Sequence, residues 1–457
     1  MSETENTLLF RQRLELLILS DSDDVVNRAK KVVSTHFLTF RQLRFEELPE
    51  AISGDLMKAQ LVLLAQGPDE NLQSFSERVD KILRGFPRSR VVTVMAPSFS
   101  RENLEGTQNP RVTPLSQAEF FSTLKFEYVC LYRCRSQYFS IQVGDLFPMT
   151  KMTFPAFIRL SLNQRYLAVL YSNTLLTDER CQRLSQAEGL FIQIKDVEGY
   201  LQYIATYYDM SGAALKKRAR ALFLSLCYKS VYLNESLLFD FKMPSEAHLQ
   251  AVYEDIKKTA LELFQIMKSD ESLWDIFREA LQDDFWELWR APWVAVYGAL
   301  ISVKSGVGDP MTVLLAALLA DVGLYDLEES VTTSYYLSED KNVSQEQQSS
   351  FEKHPLLSLN RCLIKKLPLE ESIKTVLVCT HERVDEKGFP NQVPADKLPP
   401  EASIVLFAEK IDKAVLTTMR KTGVGFRFLK EKLWEAESTS PGSFSVDFLN
   451  KISESLL

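Results

Sequence analysis

The chain has 457 residues, of which 46% are hydrophobic, and its 61 acidic and 53 basic side chains give a formal net charge of −8. This length predicts about two to four globular domains, and the negative charge argues against nucleic-acid binding through the whole surface. The six cysteines lack the paired spacing of zinc sites, so we expect reduced thiols in the cytoplasm. The polar first residues predict no signal peptide, and the longest apolar run, Met311 to Ala320, is too short to span a bilayer.

Residues 1 to 135 alternate between short apolar runs and runs with helical periodicity. Strands are predicted at Leu14 to Leu19, Gln60 to Leu64 and Val91 to Met95, and helices at Val25 to Val33 and Leu72 to Leu83. Short apolar strands that alternate with helices are typical of a parallel sheet covered on both faces. The region is therefore predicted to be an α/β domain with a doubly wound parallel sheet.

This first region resembles a response-regulator receiver domain. A receiver needs an aspartate after its third strand, because a carboxylate accepts the phosphoryl group. Here the run Leu61 to Leu64 is followed by Ala65, so the phosphoacceptor is lost. Met95 and Thr113 stand where the family has a threonine and a lysine. The resemblance implies a degenerate receiver-like domain that serves binding or dimerisation and is not phosphorylated.

Residues 136 to 212 predict a small α/β accessory domain. Aromatic and β-branched residues favour strands at Phe139 to Val143, Phe157 to Leu162, Tyr166 to Tyr171 and Leu190 to Ile194. Asn163-Gln164 suits a hairpin turn between two of these strands. The region contains no pattern of side chains that suggests catalysis.

Residues 213 to 457 have helical patterns almost throughout and predict an all-helical domain. Trp286, Trp289 and Trp293 have spacings of three and four, which place them on one helical stripe. Core packing is the favoured interpretation of this stripe, and a partner-facing aromatic patch is the alternative. A basic run at the start of the domain is interpreted as a solvated helix face and not as a nucleic-acid or lipid patch; its members are Lys216, Lys217, Arg218 and Arg220.

The run from His381 to Pro390 has the sequence H-E-R-V-D-E-K-G-F-P and follows an apolar helical segment. It resembles the second signature of the HD-GYP phosphodiesterases, bacterial enzymes that hydrolyse cyclic di-GMP at a site with two or three metal ions. The family signature usually begins with two histidines and ends in glycine, tyrosine and proline. In this chain Thr380 replaces the first histidine and Phe389 replaces the tyrosine.

A second motif of that family is present with substitutions. The run Leu318 to Leu324 has the sequence L-L-A-D-V-G-L, where the family usually has L-L-H-D-I-G-K. Asp321 is kept, Ala320 replaces a ligand histidine, and Leu324 replaces a lysine that contacts substrate phosphate. The resemblance therefore implies one lost metal ligand and one lost phosphate contact in this run.

Three further positions complete the resemblance, which covers about residues 285 to 420. Arg290 stands where the family has an early histidine, and His354-Pro355 matches a later His-Pro pair. Glu409 stands in place of a ligand aspartate. Ligand histidines are thus replaced at Arg290, Ala320 and Thr380.

Four positions of the family's metal pocket keep a residue that can bind metal: Asp321, His354, His381 and Glu409. The whole chain has four histidines, too few for a site that uses about five imidazoles. We therefore expect no catalytic residue and no cofactor. The alternative is one iron, manganese or zinc ion held by two imidazoles and two carboxylates.

The retained part of the second signature has two interpretations. It is an interaction loop or a structural loop, formed by Arg383, Asp385, Gly388, Phe389 and Pro390. As an interaction loop it would use Phe389 as an aromatic anchor and Arg383 as a charged contact. As a structural loop it would use Gly388 for an unusual backbone angle and Pro390 for a fixed turn.

Together these features predict a bacterial, cytoplasmic signalling protein in a cyclic di-GMP network. We expect it to act by protein binding through a degenerate HD-GYP domain, without hydrolysis, and the resemblance makes a diguanylate cyclase domain the first candidate partner. One alternative is a residual metal-dependent cyclic di-GMP phosphodiesterase, and another is a sensor that binds cyclic di-GMP without cleaving it. We expect no nucleic-acid or membrane partner, and the sequence leaves the oligomeric state open.

Overall fold

The computed structural model describes residues 14–36, 38–48, 56–96, 109, 111–134, 138–160, 165–187, 189–207, 212–239, 246–268, 273–279, 290–332, 344–415, 417, 426–439 and 442–456. The chain divides into two compact units. The first unit comprises Met1–Ser136, Leu238–Ser245 and Tyr325–Thr333, and the second comprises Gln137–Leu237, Glu246–Leu324 and Ser334–Leu457. The small α/β region thus belongs to the same unit as most helices, and the division into three domains stays a prediction.

The first unit is built on a parallel sheet, as predicted, although only three of its five strands were predicted. Its strands are β1 (Leu16–Leu19), β2 (Phe40–Leu43), β3 (Leu61–Ala65), β4 (Arg90–Met95) and β5 (Val112–Ser116), in the order β2-β1-β3-β4-β5. This order is one of the two common doubly wound arrangements. Its helices are α1 (Asp23–Thr35), α2 (Leu72–Gly85), α3 (Gln117–Ser122) and α4 (Lys125–Cys134).

The strand sequences explain why the sheet lies inside this unit. Every residue of β1 and β3 is buried, as expected for parallel strands that are covered on both faces. Helix α1 begins after Ser22, whose side chain accepts a hydrogen bond from the Val25 backbone amide at 3.5 Å. Asn71 caps α2 in the same way through the Ser74 amide at 2.9 Å.

A segment that is distant in sequence completes the first unit. It follows residue 324 and includes helix α12 (Glu329–Thr332). Lys125 is almost fully buried, and its Nζ lies 2.9 Å from Asp326 Oδ1. Arg28 Nη1 lies 2.6 Å from Glu329 Oε2, and the rings of Tyr128 and Tyr325 are 5.1 Å apart. These contacts bind the segment to α1 and α4.

The second unit contains a four-stranded antiparallel sheet in the order β6-β11-β8-β9. The strands are β6 (Tyr138–Ile141), β8 (Ala156–Leu160), β9 (Arg165–Leu170) and β11 (Leu190–Gln193); β7 (Thr150–Lys151) and β10 (Leu175–Leu176) form a separate ribbon. Helices α5 (Asp178–Leu184) and α6 (Val197–Thr206) belong to the same region. The predicted strands overlap β6, β8, β9 and β11, whereas the predicted turn at Asn163-Gln164 lies outside the described residues.

The rest of the second unit is helical. Its helices are α7 (Gly212–Leu238), α8 (Glu246–Met267), α9 (Leu273–Glu279), α10 (Ala291–Ser305), α11 (Pro310–Leu319), α13 (Gln345–Phe351), α14 (His354–Ile364), α15 (Glu371–Cys379), α16 (Pro400–Ala414), α17 (Phe426–Thr439) and α18 (Val446–Leu456). Helices α10 and α11 are buried on nearly all sides, so they form the core on which the other helices pack.

The structure confirms the interpretation of one tryptophan of the stripe and contradicts the interpretation of one residue of the basic run. Trp293 is fully buried and its Nε1 donates a hydrogen bond to the Phe277 carbonyl at 3.0 Å, which confirms core packing for this residue. Trp286 and Trp289 lie outside the described residues. The interpretation of the basic run as a solvated face is wrong for Arg220, which is buried and paired with Asp145.

Over the described part of the chain, no helix is both long enough and apolar enough to cross a membrane.

Candidate functional site

The candidate pocket begins where helix α11 ends, because Asp321 and Gly323 follow that helix directly. A Cβ atom on Gly323 would lie 2.4 Å from the His354 carbonyl oxygen and 2.7 Å from the Ser358 amide nitrogen. Only glycine therefore allows α14 to approach this closely. The Gly323 amide donates to Ser358 Oγ at 2.8 Å, and that hydroxyl donates to the Ala320 carbonyl at 2.5 Å. These contacts place the first turn of α14 beside Asp321.

His354 is the first residue of α14, and its side chain is fully buried. Its Nδ1 lies 2.7 Å from the Phe351 carbonyl oxygen, which requires a proton on Nδ1 and leaves the lone pair on Nε2 in the neutral ring. Nε2 lies 2.9 Å from His381 Nε2 and 3.9 Å from Asp321 Oδ1. The backbone carbonyl thus directs the ligating nitrogen of His354 toward the other two side chains.

His381 enters the pocket just after the end of helix α15. Its ring stacks on Phe389, with ring centroids 4.7 Å apart and an angle of 17° between the planes. Its Nδ1 lies 3.5 Å from Glu409 Oε2, which projects from helix α16. His381 is therefore oriented from one side by an aromatic ring and from the other by a carboxyl group.

Three of the four predicted pocket positions form one cluster. The donor atoms of Asp321, His354 and His381 all lie within 4.8 Å of one another. Glu409 contacts Nδ1 of His381, the ring nitrogen that faces away from the cluster. The arrangement resembles the second partner that orients a metal-bound imidazole in many metalloproteins.

This donor set fits one metal ion. Two imidazoles and one carboxylate are a known ligand set for iron, and the same donor types suit manganese or zinc. The two Nε2 atoms are 2.9 Å apart, so both are close enough to contact one ion with metal–nitrogen distances of about 2.0–2.1 Å. Asp321, His354 and His381 would hold such an ion. The set is too small for the two- or three-metal site that the family resemblance implies.

Three substituted positions of the family motifs are buried, and none of them offers an imidazole or an ammonium group. Ala320 and Leu324 are buried apolar side chains. Thr380 is also buried, and its hydroxyl donates to the Leu377 carbonyl at 3.2 Å. Leu324 has no charge with which to contact a phosphate.

Arg290 is bound to Asp412, an arrangement that sequence reasoning missed. The Nε atom of Arg290 contacts Asp412 Oδ2, and the two side chains expose 6% and 0% of their surfaces. Asp412 lies three residues after Glu409, so both carboxyl groups project from one face of α16. A guanidinium group therefore stands where the resemblance expects a ligand imidazole.

Burial controls the charges in the pocket. It lowers the pKa of His354 to about 3, with a further contribution from the neighbouring His381 ring. Burial also lowers the pKa of His381 to about 4. The pKa of the Glu409 carboxyl is raised well above its usual range, first by burial and then by the charge of Asp321. At neutral pH both imidazoles are therefore neutral, which is the form that binds metals.

The loop from His381 to Pro390 is closed by its own hydrogen bonds. Arg383 Nε and Nη2 donate to the two carboxylate oxygens of Asp385 at 2.9 and 2.7 Å. Glu382 is buried and accepts hydrogen bonds from the amides of Asn391 and Val393 at 2.6 and 3.1 Å. Sequence reasoning did not identify Glu382 as the residue that closes the loop.

Gly388 is required for space and not for a special backbone angle, which corrects the expectation above. A Cβ atom on Gly388 would lie 2.5 Å from the Arg383 amide nitrogen and 2.7 Å from the His381 carbonyl oxygen. Its φ angle lies outside the left-handed region. The half-buried Phe389 ring faces inward, and its centroid is 5.9 Å from those of Phe351 and His354. The Phe389–Pro390 peptide bond is cis.

Ala65 lies at the carboxyl end of β3, in the centre of the parallel sheet of the first unit. Ligands of doubly wound folds bind at this edge of the sheet. Ala65 is buried and carries no oxygen that could accept a phosphoryl group.

No family model matches this chain, and no curated protein matches it either. A solved structure that is similar to it belongs to Bd1817, an HDG"Y"P protein from Bdellovibrio bacteriovorus. The two chains are 19% identical with a TM-score of 0.45, and the match covers 70% of this chain and 99% of the other. A likeness at this level does not assign the chain to a family.

Proposed function

We propose that this chain is a non-hydrolysing signalling protein with a degenerate HD-GYP domain and a degenerate receiver-like domain. It acts in a cyclic di-GMP network by binding a protein partner, and a diguanylate cyclase domain is the first candidate. The proposal rests on the order of the sequence motifs and on one observation in the second unit, the buried ion pair between Arg290 and Asp412.

The ion pair supports the loss of hydrolysis. A guanidinium group is always protonated in proteins and has no lone pair to offer a metal. Because Arg290 takes the place of a ligand histidine, the multi-metal centre that the family uses has no support in this pocket.

The replaced residues around the pocket agree with this proposal. Ala320 and Thr380 add no further imidazole to the cluster of Asp321, His354 and His381. Leu324 cannot bind the phosphate of a cyclic dinucleotide. A substrate would thus meet too few metal ligands and no lysine at this position.

A second candidate function is a residual metal-dependent phosphodiesterase, which the convergence of Asp321, His354 and His381 supports. A metal ion in this position would lower the pKa of a bound water molecule. The two imidazoles and Asp321 would hold the ion, and Glu409 would orient His381 through Nδ1.

One experiment separates the two candidates. The full chain is incubated with cyclic di-GMP and added Mn²⁺ or Fe²⁺, product is followed by chromatography, and bound metal is measured by mass spectrometry. We expect no product. The matched variants are His381→Ala, inside the pocket, and His248→Ala, on the exposed surface of α8 where its Nε2 lies 3.0 Å from Tyr232 Oη.

The two variants show whether any product or bound metal depends on the pocket. Product that disappears in His381→Ala and persists in His248→Ala would overturn the non-hydrolysing proposal in favour of the second candidate. Stoichiometric metal that depends on His381, with no product, would show that the pocket retains an ion for a purpose other than hydrolysis.

A further inference from the structure

The two imidazoles of the candidate pocket face each other through equivalent nitrogen atoms. His354 Nε2 and His381 Nε2 are 2.9 Å apart, which is hydrogen-bond distance. A neutral imidazole has a proton on one nitrogen and a lone pair on the other. Two lone pairs at this distance repel each other, so the two nitrogens need either a proton or a cation between them. A proton and a metal ion are therefore alternatives for the same space in the pocket.

The proton between the two rings belongs to His381. The Phe351 carbonyl oxygen lies 2.7 Å from His354 Nδ1 and can only accept, so the proton of His354 is held on Nδ1. A proton on the other nitrogen of His354 would leave its Nδ1 lone pair against this oxygen, inside a fully buried site. The donor is therefore Nε2 of His381, and the lone pair of that ring is on Nδ1.

Glu409 lies on the other side of the His381 ring. Its Oε2 is 3.5 Å from His381 Nδ1, longer than the usual hydrogen-bond distance of about 2.7–3.2 Å. His381 Nδ1 is thus not held by a short hydrogen bond, whereas His354 Nδ1 is. A carboxyl oxygen can still accept from this nitrogen when it carries a proton. The His381 ring therefore has a possible acceptor at each of its two nitrogens, which are His354 Nε2 and the Glu409 carboxyl group.

We propose that His381 is a tautomer switch, which exchanges an imidazole–imidazole hydrogen bond for a divalent iron, manganese or zinc ion. Without the ion, the proton of His381 is on Nε2 and is donated to His354. With the ion, both Nε2 atoms must offer a lone pair, so the proton of His381 is on Nδ1 and is donated to Glu409. The ring releases one proton to water at Nε2 and takes one at Nδ1, so it is neutral in both forms.

Glu409 is a positioning residue in this proposal and not a ligand. The sequence resemblance places it where the family has a ligand aspartate. In the structure it contacts the nitrogen of His381 that faces away from the cluster of Asp321, His354 and His381. A carboxylate that accepts from a ligand imidazole fixes the tautomer that binds metal. The inference goes beyond the proposed function and does not rest on it, because neither tautomer requires or excludes hydrolysis.

The direct test is NMR spectroscopy of the full chain with ¹⁵N-labelled histidine. The chain has four histidines, so few imidazole signals need assignment, and single-histidine variants assign them. Before Zn²⁺ is added, we expect the proton on Nδ1 of His354 and on Nε2 of His381. One equivalent of Zn²⁺ should move the His381 proton to Nδ1 and leave that of His354 in place. His248, on the exposed surface of α8, is the internal control and should not change.

Variants of Glu409 test its role through metal affinity, measured by competition with a chelating dye. Glu409→Leu removes the acceptor and should weaken Zn²⁺ binding by about 10- to 100-fold. Glu409→Gln keeps an amide oxygen that can accept from Nδ1 and should weaken binding less. The matched control is Glu371→Leu, at the start of α15, whose side chain is 87% exposed; it should change the affinity less than about twofold.

Three results would overturn the inference. The first is a proton on Nδ1 of His381 before Zn²⁺ is added. The second is no stoichiometric Zn²⁺ binding, or binding that leaves the His381 proton on Nε2. The third is equal Zn²⁺ affinity of folded Glu409→Leu and Glu371→Leu. The wild-type spectra need no substitution, so they decide the inference even where Glu409→Leu does not fold. Each of these results is compatible with an absence of hydrolysis, so the inference and the proposed function fail separately.

Discussion

Arg290 and Asp412 show how much a single substitution changes the chemistry of the pocket. Moving two charges out of water costs desolvation free energy, and only their attraction and good geometry offset it. Both side chains are almost completely buried. Each buried charge is thus stabilised by the other. The removal of one member leaves the other charge buried without that counter-ion.

We predict that Asp412→Asn lowers the free energy of unfolding by about 3–5 kcal/mol. The double variant Arg290→Met, Asp412→Leu should lose less than the sum of its single variants, because it removes both buried charges together. Urea unfolding in a double-mutant cycle measures the difference.

The control for this prediction is an exposed ion pair. Arg183 and Glu179 expose 75% and 72% of their side chains, so Glu179→Gln should change stability by less than about 1 kcal/mol. If Asp412→Asn is no more destabilising than Glu179→Gln, the guanidinium is not held as a buried charge and the main support for the proposed function is lost.

At the level of residues, the order of the motifs predicted which side chains meet in the pocket, but it did not predict the ion pair between Arg290 and Asp412. The order of short motifs pointed to Asp321, His354 and His381, whose donor atoms the structure places together. No local pattern indicated that Arg290 is bound to a residue 122 positions later. A salt bridge of this kind depends on how α10 and α16 pack, which periodicity alone does not determine.

Among the elements, α14 carries more of the site than any pattern in its sequence indicated. Its first residue is His354, and its buried face includes Ser358. The helix takes its position from the close approach to Gly323. A glycine next to an aspartate is a common turn pattern, so its steric role is visible only once both backbones are placed.

We predict that Gly323→Ala lowers the free energy of unfolding by about 1–3 kcal/mol, since α14 must move away from the added methyl group. The matched control is Gly144→Ala in the same unit, where nothing lies within 4 Å of the added Cβ. Chemical denaturation of both variants gives the comparison. Equal stabilities would contradict the close packing of α14 against residue 323.

At the scale of the whole molecule, local periodicity predicted the parallel sheet from three of its five strands, because β1, β3 and β4 are largely apolar runs, whereas β2 is largely exposed. It did not predict that residues 325 to 333 belong to the first unit. That attachment depends on pairs such as Lys125 with Asp326, which are about 200 residues apart. Long-range ion pairs leave no trace in the pattern of either segment.

The two units also differ in their spectroscopic properties. All five tryptophans lie in the second unit, between residues 274 and 434. Tryptophan fluorescence therefore reports unfolding of the unit that holds the candidate pocket. This matters because a multi-unit chain need not unfold in a single two-state step.

We predict that the second unit of the metal-free protein loses stability as the pH falls from about 6.5 toward 4. The pKa of His354 is lowered to about 3 and that of His381 to about 4, against an ordinary value of 6.5. Between these values the unfolded chain binds protons that the folded chain excludes, so the free energy of unfolding decreases with decreasing pH. Above pH 6.5 both states have neutral imidazoles and this contribution is constant.

Glu409 has the opposite dependence. Its pKa is raised in the folded protein, so its contribution to stability is present at low pH and is lost as the pH rises through that value. We expect the free energy of unfolding to fall less at acid pH in His381→Asn than in wild type, as measured by urea unfolding followed by tryptophan fluorescence across this pH range. Glu409→Gln should keep the loss of stability at acid pH and should reduce the loss of stability at higher pH. An acid loss of equal size in wild type and His381→Asn would mean that other groups cause it, and that the imidazoles are not buried as neutral rings.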